Sequence, residues 1–264
     1  MVDEHPAHPG IDITKPHAAR VYDWALGGKD HYAADREYGE QVIAAAPDYP
    51  RLARANRGFL ERAVRLVAGS GVRQFIDLGT GIPTSPSVHE VATAVDPSAR
   101  VLYVDNDPIV SVHNDALLAT VENVRSIQAD IRQPDEILAH PALRALIDFT
   151  EPVAVLLVAV FHVIPDSADP AGIVARFTEF MSPGSYLVLS QLTSDSDPAA
   201  VAASKAATDN TPIPLAFRSR EEILAFFDGF DLVEPGLVSV REWRPVAEAQ
   251  PTGLIVLGGV GRKR

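Results

Sequence analysis

The feature that most constrains this chain is a buried strand that ends in a glycine turn. Residues 72–78 have the β-branched and aromatic character of a buried strand, and Gly79 and Gly81 follow it directly. Glycine permits a tight backbone reversal and leaves no Cβ between the main chain and a ligand. In an open α/β sheet, ligands bind at such turns, beyond the carboxyl ends of the strands. The stretch therefore predicts a ligand site.

Asp77 at the end of this strand indicates the charge of that ligand. A buried carboxylate is costly to desolvate unless a cation or several hydrogen-bond donors meet it. A dinucleotide site would show a third glycine where this chain has Thr84, and its pyrophosphate would be repelled by Asp77. The pattern favours a ligand with an amino group over an anionic diphosphate.

Strand and helix patterns alternate from residue 72 onward, which favours a parallel sheet covered by helices on both faces. Ser87 and Ser219 each precede a glutamate by three residues, a spacing typical of a helix start. No helix pattern separates the last two strands, so we expect them to form an antiparallel hairpin. The prediction is an α/β, Rossmann-like fold with a seven-stranded, mostly parallel sheet, its strands at about 72–78, 100–105, 124–128, 153–160, 185–192, 232–240 and 253–260. Helices are expected at about 18–26, 31–46, 50–69, 108–120, 134–148, 169–181 and 219–227, and the first crossover helix is expected to start at Ser87.

These patterns divide the chain into three parts. Residues 1–14 contain several prolines and no apolar periodicity, which predicts a flexible tail. Residues 15–71 predict an N-terminal helical cap. Residues 72–264 predict the Rossmann-like domain.

Composition and charge exclude several functions. The chain has 35 acidic and 23 basic residues and a net charge of −12, so it would repel a phosphate backbone, and we expect no nucleic-acid partner. The longest apolar run, residues 153–164, is too short to span a bilayer, and the N-terminus lacks the apolar core of a signal peptide. We expect a cytoplasmic protein without a membrane partner. There is no cysteine, and the scattered histidines favour no metal site.

Two strand ends together point to a family. Asp77-x-Gly79-x-Gly81, followed by the strand that ends in Asp105, resembles the cofactor-binding half of class I S-adenosylmethionine-dependent methyltransferases. The string from Pro16 through Gly27-Gly28-Lys29-Asp30 to Glu37, together with residues 104–108, is similar to a little-characterised family within that class. Many methyltransferases outside this family have a glycine where this chain has Pro83.

The resemblance implies a role for the residues at the ends of the first three strands. Asp77 and the turn would hold the methionine part, and Asp105 would accept hydrogen bonds from the ribose hydroxyls. Residues after the second and third strands would contact the adenine. The candidate cofactor contacts are Asp77, Gly79, Thr80, Gly81, Asp105, Asn106, Asp130 and Ile131. The structural alternatives are a turn carboxylate for Asp77, a helix cap for Asp105 and a surface loop acid for Asp130.

The carboxylate of such a cofactor needs a cation that the turn does not supply, because residues 79–86 contain no lysine or arginine. Arg20 and Lys29 in the cap are the available bases, and we favour Arg20. Tyr22 from the same segment would form part of the site wall. The alternative is that these side chains are solvated bases and a core aromatic residue.

The end of the fourth strand is where a methyl acceptor would approach in this architecture. Val160 and Phe161 are expected to line the site there. His162, which titrates near neutral pH in its unperturbed state, is a candidate general base. The alternative is a histidine that is only hydrogen-bonded to the backbone.

These observations predict a methyltransferase that uses S-adenosylmethionine to methylate a small-molecule acceptor. One alternative is a regulatory protein that binds the cofactor without catalysis, and the other is a nicotinamide-dependent oxidoreductase on a similar sheet. The oligomeric state and the acceptor's identity stay open.

Overall fold

The computed structural model describes residues 11–118, 121–245 and 252–264. Most of the predicted tail, residues 1–10, and the predicted end of the helix at residues 119–120 lie outside the described residues. No helix in the described part of the chain is long and apolar enough to cross a membrane.

The core of the fold is one mixed sheet. Its strands are β1 Gln74–Leu78, β2 Arg100–Asp105, β3 Val124–Gln128, β4 Ala154–Val158, β5 Tyr186–Leu192, β6 Phe230–Leu232, β7 Val238–Ser239 and β8 Val256–Lys263. Their order is β3-β2-β1-β4-β5-β8-β6, and β7 also pairs with β8. The first five strands are parallel, and β8 is antiparallel to β5. The predicted Rossmann-like class with an antiparallel C-terminal edge is confirmed.

The predicted sixth strand is broken into two short pieces. Both pieces pair with β8: β6 with the end of that strand and β7 with its beginning. Gly236 between them has a φ of 86°, in the left-handed region that interrupts an extended strand. The two pieces therefore occupy a single position at the edge of a sheet with seven strand positions.

The helices follow the predicted alternation with two differences. They are α1 Ala18–Leu26, α2 Ala33–Ala45, α3 Tyr49–Gly69, α4 Val88–Val95, α5 Pro108–Leu118, α6 Pro134–Ala139, α7 Pro141–Leu146, α8 Pro170–Phe180, α9 Pro198–Thr208 and α10 Arg220–Ala225. The helix predicted at 134–148 is two helices, because Pro141 cannot continue α6. Helix α9 was not predicted: its buried residues are Ser204 and Thr208, so it has no apolar stripe to detect.

Apolar residues cover the sheet on both faces. Helix α3 begins with a proline in its first turn, and its buried face includes Phe59 and Val67, which pack with α4 against one side of the sheet. Helices α6, α7, α8 and α10 pack against the other side. Neighbouring residues on β1 alternate between the two layers: Phe75 belongs to the first and Ile76 to the second. The central strands therefore read as continuous apolar runs.

Helices α1 and α2 pack on each other and on α3, near the carboxyl ends of the strands. A Cβ on Gly39 of α2 would lie 2.4 Å from ring atoms of Trp24 of α1, so this crossing requires glycine. Two tyrosines connect α1 and α2 to neighbouring segments by hydrogen bonds. Tyr22 Oη donates to Ala53 O at 3.0 Å, and Tyr38 Oη donates to Ile213 O at 2.5 Å.

We expect Gly39→Ala to lower the free energy of unfolding by about 1–3 kcal/mol, because the added methyl group overpacks the α1–α2 crossing. Gly69→Ala is the matched control, since it also lies in a helix and has no atom within 4 Å of the added Cβ. Chemical denaturation of the two variants measures the difference. Equal stabilities would contradict the proposed packing constraint.

Candidate functional site

A cavity of about 560 Å³ lies at the carboxyl ends of the central strands, between them and helices α1 to α3. Its volume is within the range of about 300–1,000 Å³ that small-molecule sites occupy. Twelve of the thirteen candidate residues line it: Arg20, Tyr22, Asp77, Gly79, Thr80, Gly81, Asp105, Asn106, Asp130, Ile131, Val160 and His162. The exception is Phe161.

The glycine turn is held tightly against its neighbours. Gly79 and Gly81 have φ values of 74° and 67°, which favour glycine. A Cβ on Gly79 would lie 2.4 Å from Val160 Cγ2, whereas a Cβ on Gly81 would meet nothing within 4 Å. Thr80 Oγ1 donates to the main-chain oxygen of Asp77 at 2.9 Å. The turn is therefore rigid and leaves open space at Gly81.

Asp105 joins this turn to the end of β2. Its Oδ2 accepts from the Gly81 amide at 2.8 Å and its Oδ1 from the Asp107 amide at 2.9 Å. Burial raises the pKa of Asp105, and these two hydrogen bonds oppose the shift. The cap of α5 is a different residue, because Asp107 Oδ1 accepts from the Ile109 amide at 2.9 Å. Each Asp105 oxygen still has a lone pair for a ligand hydroxyl.

Asp77 is buried without a hydrogen-bond partner for its carboxylate among the described residues. Its pKa is raised to about 7, chiefly by burial; the charge of Arg57 opposes this shift and that of Asp105 adds to it. Arg57 itself donates to Thr84 O and Pro86 O, both at 2.9 Å. The carboxylate therefore lacks a close partner in a cavity where a ligand cation would supply one.

A cluster of four side chains joins the cap to the sheet, which we call the cap latch: His17, Arg20, Asp35 and Asp107. Arg20 Nε lies 3.3 Å from Asp107 Oδ2 and 3.6 Å from Asp35 Oδ1. His17 Nδ1 lies 2.9 Å from Asp107 Oδ2, and the His17 amide donates to Asp35 Oδ1 at 2.9 Å. Burial alone would lower the pKa of His17, but the contact with Asp107 outweighs it and raises the pKa.

Arg20 has unused capacity for an anion. Its side chain is 5% exposed, and Nη2 donates to Lys15 O at 3.1 Å. Nη1 is buried and has no hydrogen-bond partner among the described residues. A buried, unpaired guanidinium nitrogen is costly, so a ligand carboxylate beside it would be stabilised.

The Gly27-Gly28-Lys29-Asp30 segment is a structural turn and not part of the cavity lining. Gly27 ends α1 with a φ of 90°, and a Cβ on Gly28 would overlap the carboxylate of Asp23. That carboxylate accepts from the Asp30 amide at 3.0 Å. Lys29 is exposed and does not line the cavity, whereas Arg20 does.

Tyr22 belongs to a hydrogen-bond chain that crosses the cavity wall. Asn56 Nδ2 donates to Tyr22 Oη at 3.0 Å, and Asn56 Oδ1 accepts from Ser190 Oγ at 2.7 Å. Ser190 Oγ in turn accepts from the Ala159 amide at 2.9 Å. The chain links α1, α3, β5 and the end of β4, so it sets the position of the cap over β4.

Three further candidates lie at the β2 and β3 ends of the cavity. Asp130 accepts from the Arg132 amide at 2.9 Å and pairs with its guanidinium, and this hydrogen bonding lowers the pKa of Asp130. Ile131 is buried beside it, and Asn106 is exposed. The cavity edge here thus presents one apolar side chain between polar ones.

The chain leaves β4 through Ala159, whose φ of 61° is unusual for a residue with a Cβ. Residues 161–163 then form a short 3₁₀ turn. This turn directs Phe161 into the core, where it is fully buried and packs on Phe226 with ring centroids 5.3 Å apart. We therefore no longer propose Phe161 as a cofactor contact.

His162 lines the cavity, but its charge state differs from the sequence expectation. Burial and, to a smaller extent, the positive charge of Arg218 lower the pKa of His162 to about 4. The ring is therefore neutral at physiological pH instead of titrating near neutrality. Nδ1 is buried, and the ring has no hydrogen-bond partner among the described residues.

Sequence reasoning missed five residues of the site: His17, Asp35, Asn56, Arg57 and Asp107. Asn56 could have been found, because it is a polar residue within the apolar stripe of α3. Asp107 is adjacent to the family-like Asp105-Asn106 pair. Of the other three, Asp35 and Arg57 lie on helices and His17 directly precedes α1, and nothing in their local sequence distinguishes them from solvated residues. No group of three or more His, Asp or Glu side chains in the described part is arranged to hold a metal.

Comparison with known proteins decides the family. The sequence matches the S-adenosyl methyltransferase family over residues 4–264. The chain belongs to this family. Comparison with curated sequences found no match.

Solved structures agree with this assignment. A DUF574 family protein from Streptomyces avermitilis is 41% identical, with 96% of this chain and 100% of that chain covered and a TM-score of 0.91. A proposed methyltransferase from Thermobifida fusca is 40% identical, with 97% and 98% covered and a TM-score of 0.91. The N-methyltransferase NodS from Bradyrhizobium japonicum, solved with S-adenosyl-L-homocysteine, is 14% identical over 78% of this chain and 86% of that chain, with a TM-score of 0.50. This last likeness concerns the fold alone.

We expect Asp77→Asn to stabilise the ligand-free protein at pH 8 more than at pH 5. The folded-state pKa of Asp77 is about 7, above its ordinary value of 3.8, so the wild type loses stability as pH rises between these values. The asparagine variant lacks this loss, so the difference in unfolding temperature should grow from pH 4 to pH 7 and then stay constant. The control is Asp231→Asn, whose side chain is 71% exposed. A pH-independent difference for Asp77→Asn would contradict the buried-charge account.

Proposed function

We propose that this member of the S-adenosyl methyltransferase family binds S-adenosylmethionine in the cavity and transfers its methyl group to a small-molecule acceptor. The observation that carries the proposal is the meeting of two buried carboxylates, Asp77 and Asp105, at a rigid glycine turn in one cavity. Two carboxylates at one turn suit a cationic nucleoside better than an anionic dinucleotide, because they attract positive charge and repel phosphate groups. We also propose residues 15–71 as the cap and 72–264 as the cofactor-binding domain.

The cavity residues fit this cofactor group by group. Asp77 would pair with the ammonium, and the buried Arg20 Nη1 would donate to the carboxylate. Asp105 would accept from the ribose hydroxyls while it keeps its bonds to the turn. Asn106, Asp130 and Ile131 would surround the adenine, and Gly79, Thr80, Gly81, Tyr22 and Val160 would form the remaining wall.

When bound, S-adenosylmethionine supplies an electrophilic sulfonium methyl group, and S-adenosylhomocysteine remains after transfer. The protein would contribute mainly by orienting the acceptor and by excluding water beneath the cap latch. His162 would accept a hydrogen bond from the acceptor's N–H or O–H, because its low pKa keeps the ring neutral. The same low basicity makes it a weak proton acceptor, so we expect orientation to supply more of the rate than general-base catalysis.

An acceptor of small size is supported by the position of the cavity under α1 to α3 and by the net charge of −12. A nucleic acid would meet an unfavourable electrostatic field at this surface.

Two other outcomes would favour the alternative functions. Tight cofactor binding without turnover over a broad acceptor panel would favour a regulatory protein. Thermal stabilisation by NADH, with no response to S-adenosylmethionine, would favour the oxidoreductase.

Two ligands test the assignment of the cofactor residues by calorimetry. S-adenosylmethionine carries the amino-acid part, and 5′-methylthioadenosine lacks it but keeps the ribose and adenine. We expect Arg20→Lys, which keeps the charge but loses Nη1, to weaken S-adenosylmethionine about tenfold or more and to leave 5′-methylthioadenosine unchanged. Weakening of both ligands alike would indicate a purely structural role.

Asp105→Asn should weaken both ligands about tenfold or more, because both present ribose hydroxyls and the amide offers only one acceptor oxygen. The control is again Asp231→Asn, on the exposed surface. If Asp105→Asn binds both ligands like the wild type, Asp105 does not hold the ribose. If wild-type protein binds neither ligand, the proposed function is wrong.

A further inference from the structure

The cavity is divided by charge into two halves that follow the strand order. Nearly all Asp, Lys and Arg residues of its lining lie at the ends of β1 to β3, on the segment that leads into α1, or on α1 itself. The exception is Arg57, which lies on the face of α3 towards the turn after β1. The other half lies over β4, β5 and β8. We call it the acceptor chamber and define it by Val42, Leu52, Val163, Leu192, Ile213 and Val256. Among the described lining residues, this half contains no Asp, Glu, Lys or Arg.

Most polar groups of the acceptor chamber are already used within the protein. Tyr38 Oη donates to Ile213 O, and Tyr22 Oη donates to Ala53 O. Asn56 uses its amide nitrogen for Tyr22 and its oxygen for Ser190. The hydroxyl hydrogens of both tyrosines, one amide hydrogen of Asn56 and a lone pair of its oxygen are therefore already used within the protein.

Two side chains in the chamber have no such partner. The Tyr49 hydroxyl makes no hydrogen bond to the described residues, and burial raises its pKa, so it stays a neutral donor. The His162 ring also lacks a partner, and it stays neutral because burial lowers its pKa to about 4. Both line the cavity. His162 lies in the turn after β4, and Tyr49 packs against the same apolar cluster as Val163 of that turn. Together they offer one O–H donor and a neutral imidazole.

We propose that the methyl acceptor is an uncharged, largely apolar small molecule whose methylated hydroxyl or N–H group lies between Tyr49 and His162. This inference rests on the proposed function. A charged acceptor would lose its hydration in a chamber that offers no opposite charge, and such burial is strongly unfavourable. Transfer forms one O–C or N–C bond and breaks the S–C bond, whose electron pair stays on sulfur. The methylated oxygen or nitrogen is then positively charged and loses its proton to water, while the weakly basic His162 only accepts the hydrogen bond that orients the acceptor.

Calorimetry with the protein saturated by S-adenosylhomocysteine tests the proposal without requiring turnover. The probes are phenols of one to three fused rings and, for each skeleton, the carboxylate and the aminomethyl (ammonium) analogue. We expect at least one phenol to bind about tenfold or more tightly than both of its charged analogues. Equal or tighter binding of a charged analogue, or no binding of any phenol, would overturn the proposal.

Substitutions of single tyrosines test where the bound phenol lies. Tyr49→Phe should weaken that phenol about three- to tenfold, as expected for one lost hydrogen bond, and leave S-adenosylhomocysteine binding unchanged. Tyr186→Phe is the matched control, because Tyr186 is a buried tyrosine on β5 that does not line the cavity. Equal effects of the two variants would overturn the placement. Absence of S-adenosylhomocysteine binding to the wild type would remove the proposed function and this inference together, whereas a preference for charged probes removes only the inference.

Discussion

The structure depends on buried negative charge at the ends of the first two strands. Asp77, Asp105 and Asp107 are at most 8% exposed, and Asp35 from the cap is fully buried nearby. Backbone amides donate to Asp105, and His17 and Arg20 lie beside Asp107. Asp77 is left with its pKa raised to about 7. A protein that keeps a carboxylate in this state without a ligand gives up stability there, which is typical of a binding site.

The charged contacts of the cap latch connect helices α1 and α2 to the end of β2. Arg20 faces one carboxylate from α2 and one from the end of β2, so the position of α1 depends on both. The Tyr22–Asn56–Ser190 chain adds a second connection, to β5 and β4. Hydrogen bonds therefore connect α1, which carries Arg20, to the part of the cavity over β4 and β5. The covered cavity follows from these polar connections as much as from apolar packing.

The same strand order separates two chemical tasks. Parallel strands bring their carboxyl ends to one edge, and the order places β1 to β3 on one side of β4, β5 and β8. Charged side chains gather on the first side, and the second is apolar apart from tyrosines, one histidine and one asparagine. The cavity thus offers a charged and an apolar environment side by side, as the proposed cofactor and acceptor would require.

The sequence alone determined the fold class, because strand and helix periodicity and the strand–glycine turn are local patterns that a few neighbouring residues specify. It also predicted that Asp77 and Asp105 would lie close together, since both end neighbouring parallel strands. Only the tertiary structure decided the cap latch, the inward turn of Phe161 and the neutral state of His162. These depend on side chains far apart in the chain and on the burial they create together. A pKa or an unpaired donor is a property of that environment, which no local pattern contains.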